Sequence, residues 1–307
     1  MCLSFSEAVR LHRQHLRARR RADKTVAWYA EQFAAFDRWR LGRGLADALP
    51  DADALDAYIA DQHLAGHRPS TVHARFRSLR ALCNWLQRRK KIEVADNPFV
   101  LLAPDDAPAV PQEIRRHISV AEVDRLLAVM AGRSWLDARD RLIVLLLFYS
   151  GLRVSELCGL DVADVDSVRC EVLVRWQYAK GEKSRVVPCV EDVRPALASY
   201  LYSRPAHDAA LLLASDGYAG VTGRLTREGV RQMLIRRCQA AEIEYYNPHA
   251  FRHGFAMWLL NSGARLTTVS TAMGHSDTAI TSKTYAHTTT VTVRREYEEA
   301  LRRVRRP

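Results

Sequence analysis

The chain is 307 residues long, 48% hydrophobic and 26% charged, ordinary proportions for a globular protein with apolar material for two buried cores. Its 46 Lys and Arg exceed its 35 Asp and Glu by eleven, five of them over residues 1–110 and six over 111–307, so both halves suit a long polyanionic partner. The longest apolar run, Leu142 to Tyr149, is far below the roughly 18–20 residues of a membrane span, and six scattered cysteines with no CxxC pair argue against a zinc or disulfide framework and fit a reducing cytoplasm.

Residues 4 to about 103 read as helical throughout, with Phe5, Val9, Trp28, Phe33, Phe36 and Trp39 at helical spacing. A turn-rich stretch, Gly42 to Asp53, precedes a further helix over about Thr71 to Arg89, where Val72, Phe76, Leu79, Leu82 and Leu86 share a face. Two basic clusters punctuate these helices: Arg17, Arg19, Arg20 and Arg21, then Arg88, Arg89, Lys90 and Lys91. Either alone reads as a solvated face. Together, on a small helical domain, they suit phosphate contacts that position a protein on DNA without reading its sequence. His63 and His67, four apart on a predicted helix, have no acidic or cysteine ligand pattern around them and read as solvent-facing. Three prolines between Ala103 and Pro111 mark a linker. The expected division is a helical domain at 1–104, a linker at 105–116 and a second domain at 117–307.

The second domain restarts in helix, where Ser119 and Glu122 form a capping box before Val123, Leu126 and Leu127. A helix over about Leu136 to Tyr149 stops at Ser150-Gly151. From Arg169 to Val190 the pattern alternates, and Val172, Val174, Trp176, Val186 and Val187 flank a tight turn at Lys180-Gly181-Glu182-Lys183. Helices are expected from Glu191 to the end. The fold class is therefore mainly α: a helical domain plus a mixed α/β domain, mostly helical with one small antiparallel sheet.

Four stretches of this domain carry chemistry. Arg153 follows a helix-stopping glycine in GLRVSEL, and Glu156 stands three residues on, on the same helical face. Lys180 sits in or beside the β-turn, His249 and Arg252 open a helix after Pro248 in HAFRH, and His275 in GHSD precedes Tyr285 by ten residues. Each stretch alone has an ordinary structural explanation. Jointly, two arginines, two histidines, a lysine and a late tyrosine suit a reaction at a phosphodiester. A trigonal-bipyramidal phosphorane carries more charge on its non-bridging oxygens than the ground state, and guanidinium groups match it with planar, permanently charged paired donors. Preorganised donors aimed at developing charge are usually the largest catalytic contribution.

In order, GLRVSEL, AKGEKSRVVP, HAFRH, GHSD and YAH over about residues 118–290 resemble the tyrosine recombinases, or phage integrases, of the Xer, lambda-integrase and Cre types. The resemblance implies a nucleophile at Tyr285 and active-site arginines at Arg153 and Arg252. Lys180 is then expected as general acid, His249 as general base and His275 as a further hydrogen-bond donor. The step from His275 to Tyr285 is one residue longer than the family's usual spacing, so Tyr297, Tyr245 and Tyr246 stand as rival nucleophiles. The resemblance also implies a C-shaped clamp of a core-binding and a catalytic domain on double-stranded DNA with specific core sites, and a tetramer on two sites. It implies no cofactor, no metal, no membrane and no small-molecule substrate, and a simple two-domain type without an arm-binding domain. The charged tail, Val293 to Pro307, reads as a solvated helix or, by resemblance, as a segment that packs onto a neighbouring protomer. A type IB topoisomerase-like activity and an inactive accessory protein of the same fold are the alternatives.

Overall fold

The structure is a computed structural model that describes residues 3–100, 102, 106–111, 116–132, 134–175, 177, 184–189, 192–205, 208–217 and 220–274. The chain divides into two units, Met1–Glu113 and Ile114–Pro307, each with its own core.

In the first unit, polar caps and prolines start the helices where the apolar spacing predicts them. The Ser4 side chain accepts the Glu7 N–H at the start of α1 (Phe5–Ala18), and the Asp51 side chain accepts that of Ala54 at the start of α3 (Ala52–Leu64). Between them lies α2 (Asp23–Gly42), and Pro69 occupies the first turn of α4 (Pro69–Arg88), where its missing N–H costs nothing. The first hundred residues are not helical throughout. Beyond α4 the chain makes two short 3-10 helices, Val94–Asp96 and Pro98–Val100, because Pro98 cannot continue an α-helical ladder. His67 lies past the end of α3, so it does not share a helical face with His63.

This core is aromatic. Phe36 packs 4.9 Å from Phe5 and 5.1 Å from Tyr58, ring centre to ring centre, the second pair edge to face. His12, 4% exposed, lies edge-on to Tyr29, Phe33 and Trp85 at 5.1–5.6 Å. Burial, helped by the charge of His15, pushes its pKa down to about 4.

The second unit is built round α6 (Trp135–Tyr149), whose residues Leu142 to Phe148 are all buried. A helix buried on every face must be covered by neighbours, and here α5 (Val120–Ala128), α7 (Val154–Gly159), α8 (Val193–Ser203) and α10 (Pro248–Asn261) cover it. The capping box at α5 forms: Ser119 Oγ accepts the Glu122 N–H at 3.3 Å, and Glu122 accepts the Ser119 N–H at 2.9 Å.

The single small sheet expected from the sequence is two sheets. Strands β1 (Val165–Asp166), β2 (Glu171–Val174) and β3 (Arg185–Pro188) form an antiparallel set in that order, with Val172 opposite Val187 and Val174 opposite Arg185. A separate hairpin follows, β4 (Leu213–Ser215) and β5 (Val221–Arg224), where helix was expected. Its first strand comes from the short apolar run Leu211–Ala214, bounded by Pro205 and by Asp216-Gly217. A run that short has no readable period, and the flanking turn residues decide for strand. Helices α9 (Arg227–Ala240), α10 and α11 (Leu266–Met273) complete the described fold.

Candidate functional site

The site begins where α6 stops. Gly151 takes a left-handed φ of +58°, and a Cβ there would meet the Phe255 ring at 2.3 Å, so both conformation and packing require glycine. The turn delivers Arg153 to the N-cap of α7. Glu156 then closes back on it: the Arg153 N–H donates to Oε2 and Arg153 Nη1 to Oε1, both at 2.8 Å. The same carboxylate receives a second guanidinium, with Arg185 Nη1 on Oε1 at 2.9 Å and Nη2 on Oε2 at 2.8 Å. The Glu156 side chain has no solvent exposure. Burial alone would raise its pKa, but the Arg185 hydrogen bonds, the Arg153 amide and both positive charges outweigh it and hold the carboxyl below its ordinary value.

Arg252 comes from α10. Asn247 caps that helix by accepting the N–H groups of His249 and Ala250, and Pro248 fixes its first turn. The Arg252 guanidinium is 2% exposed and donates through Nη1 to the Gly151 carbonyl and through Nη2 to the Met273 carbonyl. Met273 ends α11, where unpaired carbonyls and the negative end of the helix dipole favour cations. On the next residue, the Gly274 carbonyl accepts Arg153 Nη2 at 3.5 Å. Arg153 and Arg252 thus rest on consecutive carbonyls of one turn, immediately before His275.

His249 is exposed in the first turn of α10, with its ring 4.6 Å from that of buried His253 and at 80° to it. The structure therefore brings Arg153 and Arg252 together and sets His249 on the helix that carries Arg252. Lys180, His275 and Tyr285 lie outside the described residues, as do Tyr297 and the tail. Of the other tyrosines, Tyr246 is buried, donates to Glu122 at 2.8 Å and accepts from Arg116 at 3.1 Å. Burial and the Glu122 bond raise its pKa, which makes it a structural hydroxyl and a poor nucleophile. Burial also raises the pKa of Tyr245.

Local sequence pattern assigns Arg185 no role. Its signal lay in strand parity: in β3 it stands two residues before the buried Val187, on the inward face. A cation on the inward face of a strand needs a buried anion, and Glu156 is that anion.

In the first unit the two basic clusters meet. His15 of α1 lies 5.1 Å from Trp85 of α4, ring centre to ring centre. Its pKa is lowered first by burial and then by the charges of Arg89, Arg19 and Arg21. Arg17, Arg19, Arg20 and Arg21 of one cluster and Arg88, Arg89, Lys90 and Lys91 of the other are all exposed, so the cations at the ends of both helices face solvent. Among the described residues no cluster of three His, Cys, Asp or Glu is placed to hold a metal, and no helix is long and apolar enough to cross a membrane.

Comparison with known proteins gives a consistent answer. Residues 116–291 match the phage integrase family. The chain is 30% identical to tyrosine recombinase XerD of Yersinia pestis over 283 residues, 91% of each protein. It is 36% identical to tyrosine recombinase XerA of Thermococcus kodakarensis, over 80% of this chain and 82% of that one. Among solved structures, the Tn1549 transposon integrase in complex with transposon right-end DNA aligns with a TM-score of 0.75 at 21% identity, covering 96% of this chain and 99% of the other. The XerH recombinase in a post-cleavage complex with palindromic difH substrate aligns with a TM-score of 0.71 at 19% identity, covering 91% and 81%. At those identities the likeness establishes the fold.

Proposed function

The chain belongs to the phage integrase family of tyrosine site-specific recombinases, and from that membership we propose how its arginine site cuts and rejoins DNA. The observation that carries the proposal is the meeting of Arg153 and Arg252 on the consecutive carbonyls of Met273 and Gly274. Two guanidiniums held at one turn suit the two non-bridging oxygens of a single phosphate, and their positions are set before substrate arrives.

Tyr285 Oη attacks the scissile phosphorus. A phosphorus–oxygen bond to the tyrosine forms, the bond to the 5′-oxygen breaks, and the products are a 3′-phosphotyrosyl link and a 5′-hydroxyl. A free tyrosine has a pKa near ~10, so the attacking hydroxyl needs a base, and His249, exposed in the first turn of α10, takes its proton. Lys180, on the β2–β3 connection, gives a proton to the departing 5′-oxygen. Arg153 and Arg252 hold the charge that develops on the phosphate, and His275 adds a hydrogen bond. Rejoining runs the same steps backward with a 5′-hydroxyl from either strand. One phosphodiester-type bond is exchanged for another throughout, so no nucleotide is consumed.

The exposed cations at the ends of α1 and α4 belong to the backbone-binding surface of a core-binding domain over about 1–104, joined to a catalytic domain over 117–307. A tetramer on two core sites in the cytoplasm completes the scheme. The test uses a library of short nicked duplexes with randomised flanks, from which the wild-type protein captures its own site as a denaturation-resistant adduct. Tyr285→Phe is expected to abolish the adduct and to leave binding of the captured duplex nearly unchanged. An undiminished adduct in that variant moves the nucleophile elsewhere; no adduct with wild-type protein refutes the recombinase chemistry.

A further inference from the structure

We propose that Arg185 is a positioning residue for strand cleavage: by filling both carboxylate oxygens of Glu156 it confines Arg153 to one side-chain contact and leaves the rest of that guanidinium for the scissile phosphate. The inference rests on the recombinase chemistry above, since it concerns what Arg153 is free to do.

A carboxylate offers about four lone-pair positions. Glu156 has four donors on them: the Arg153 amide, Arg153 Nη1, Arg185 Nη1 and Arg185 Nη2. The acceptor is saturated, so Arg153 cannot place a second guanidinium nitrogen on it. Arg185 makes the two-pronged pair, which is the stronger geometry for guanidinium and carboxylate. Arg153 is left with a single-pronged contact and a long approach to the Gly274 carbonyl at 3.5 Å. Without Arg185, two positions on a carboxylate with no solvent exposure would fall empty. An unsatisfied buried carboxylate is costly, and the nearest relief is for Arg153 to swing into a two-pronged pair of its own. Its donors would then face Glu156 and not the substrate.

Charge leads to the same conclusion. One buried carboxylate in contact with two guanidiniums leaves one positive charge uncompensated at the mouth of α7, where a phosphate would supply the missing anion. With Arg185 removed, Glu156 and Arg153 cancel.

Arg185 itself is not built for maximal stability. Its Nε is buried and has no hydrogen-bond partner, a defect that native structures rarely carry without a reason. Its position also ties the site together. It opens β3 directly after the connection that holds Lys180, and Gly274 packs so closely that a Cβ there would lie 2.8 Å from its Nε and 2.9 Å from its Cζ. The return strand of the lysine hairpin, the glutamate of α7 and the residue before His275 all meet at this one guanidinium.

The test measures single-turnover cleavage of the captured nicked duplex, its dissociation constant and thermal unfolding for Arg185→Ala, Arg185→Lys, Glu156→Gln and the double variant Arg185→Ala/Glu156→Gln. Arg185→Ala should slow cleavage roughly 10- to 100-fold, the scale of a misplaced donor. Its DNA affinity should change by less than about threefold, since many cations share the backbone. Adding Glu156→Gln should make cleavage faster than in Arg185→Ala alone, because a neutral amide no longer draws Arg153 away. A merely structural arginine would give no such recovery. Arg185→Lys keeps the charge but reaches one oxygen, so it should fold and cleave at an intermediate rate; it carries the test if Arg185→Ala unfolds. The inference is overturned if Arg185→Ala or folded Arg185→Lys cleaves at the wild-type rate. It is equally overturned if the double variant is no faster than Arg185→Ala. Adduct formation by wild-type protein in the same assay separates these failures from a failure of the recombinase chemistry.

Discussion

The Glu156 cluster and the cluster around Asp137 and Asp140 lie in the same unit, both pair carboxylates with arginines, and are balanced differently. Asp137 and Asp140 face two guanidiniums: Arg139 on Asp140 at 2.7 Å, and Arg237 on Asp137 at 2.7 Å and on Asp140 at 2.8 Å. Asp161 and Asp164 repeat that ratio with Arg175 and Arg224. Among the described residues, the Glu156 cluster instead sets two arginines against a single carboxylate. A balanced cluster has spent its charge on joining segments; α6 is fastened to α9 by one, and the start of the first sheet to β5 by the other. The surplus cluster still has charge to offer an anion. On the function proposed above, the difference would separate residues that hold the fold from residues that meet DNA.

The sharpest way to break this distinction is Arg153→Ala. Loss of one preorganised donor should lower cleavage by about 10²–10³, or about 2.7–4 kcal/mol, while urea unfolding stays close to wild type because Arg185 still satisfies Glu156. A large fall in stability would mean the surplus cluster is structural after all. Arg237→Ala should do the reverse. It leaves Asp140 with Arg139 but strips Asp137 of its cation, and should lower unfolding free energy by about 1–3 kcal/mol, with cleavage per folded molecule unchanged.

A third case, His12, has no counter-charge among the described residues. Its folded pKa of about 4 lies below the unfolded value of 6.5, so the unfolded chain binds more protons between those limits and stability rises with pH across that window. On acidification from pH 6.5 to 4, His12 should cost on the order of 2 kcal/mol after allowance for solvent screening. The comparison of wild type with His12→Leu at the two pH values isolates it, and an identical slope in both would refute it. The smallest effect belongs to the exposed pair of Arg10 and Glu7: Arg10→Ala should leave the melting temperature unchanged within error, as solvated pairs usually do.

Much of this contrast is written locally in the chain. The glycine before Arg153 and the glutamate three positions after it are a turn and a first helical turn, both short-range features, and they carried the Arg153–Glu156 contact from sequence to structure. Arg252 was legible as a residue type suited to phosphate; its grip on the Gly151 and Met273 carbonyls was not, because those partners lie far off in the chain. Arg185 was missed because its partner is 29 residues away and strand parity says only that a side chain points inward. The β4–β5 hairpin escaped because Leu211–Ala214 is too short to show a period. Contacts within a turn can be read ahead, whereas contacts across the fold must be seen.

Arg252 leaves a consequence of a different kind. Its two carbonyl bonds rivet the loop after α6 to the end of α11, segments more than a hundred positions apart. Exchange of this residue therefore loosens a joint at the same moment as it removes the guanidinium that the proposed chemistry uses, and on that proposal natural selection would register each such mutation twice, once against the reaction and once against its frame.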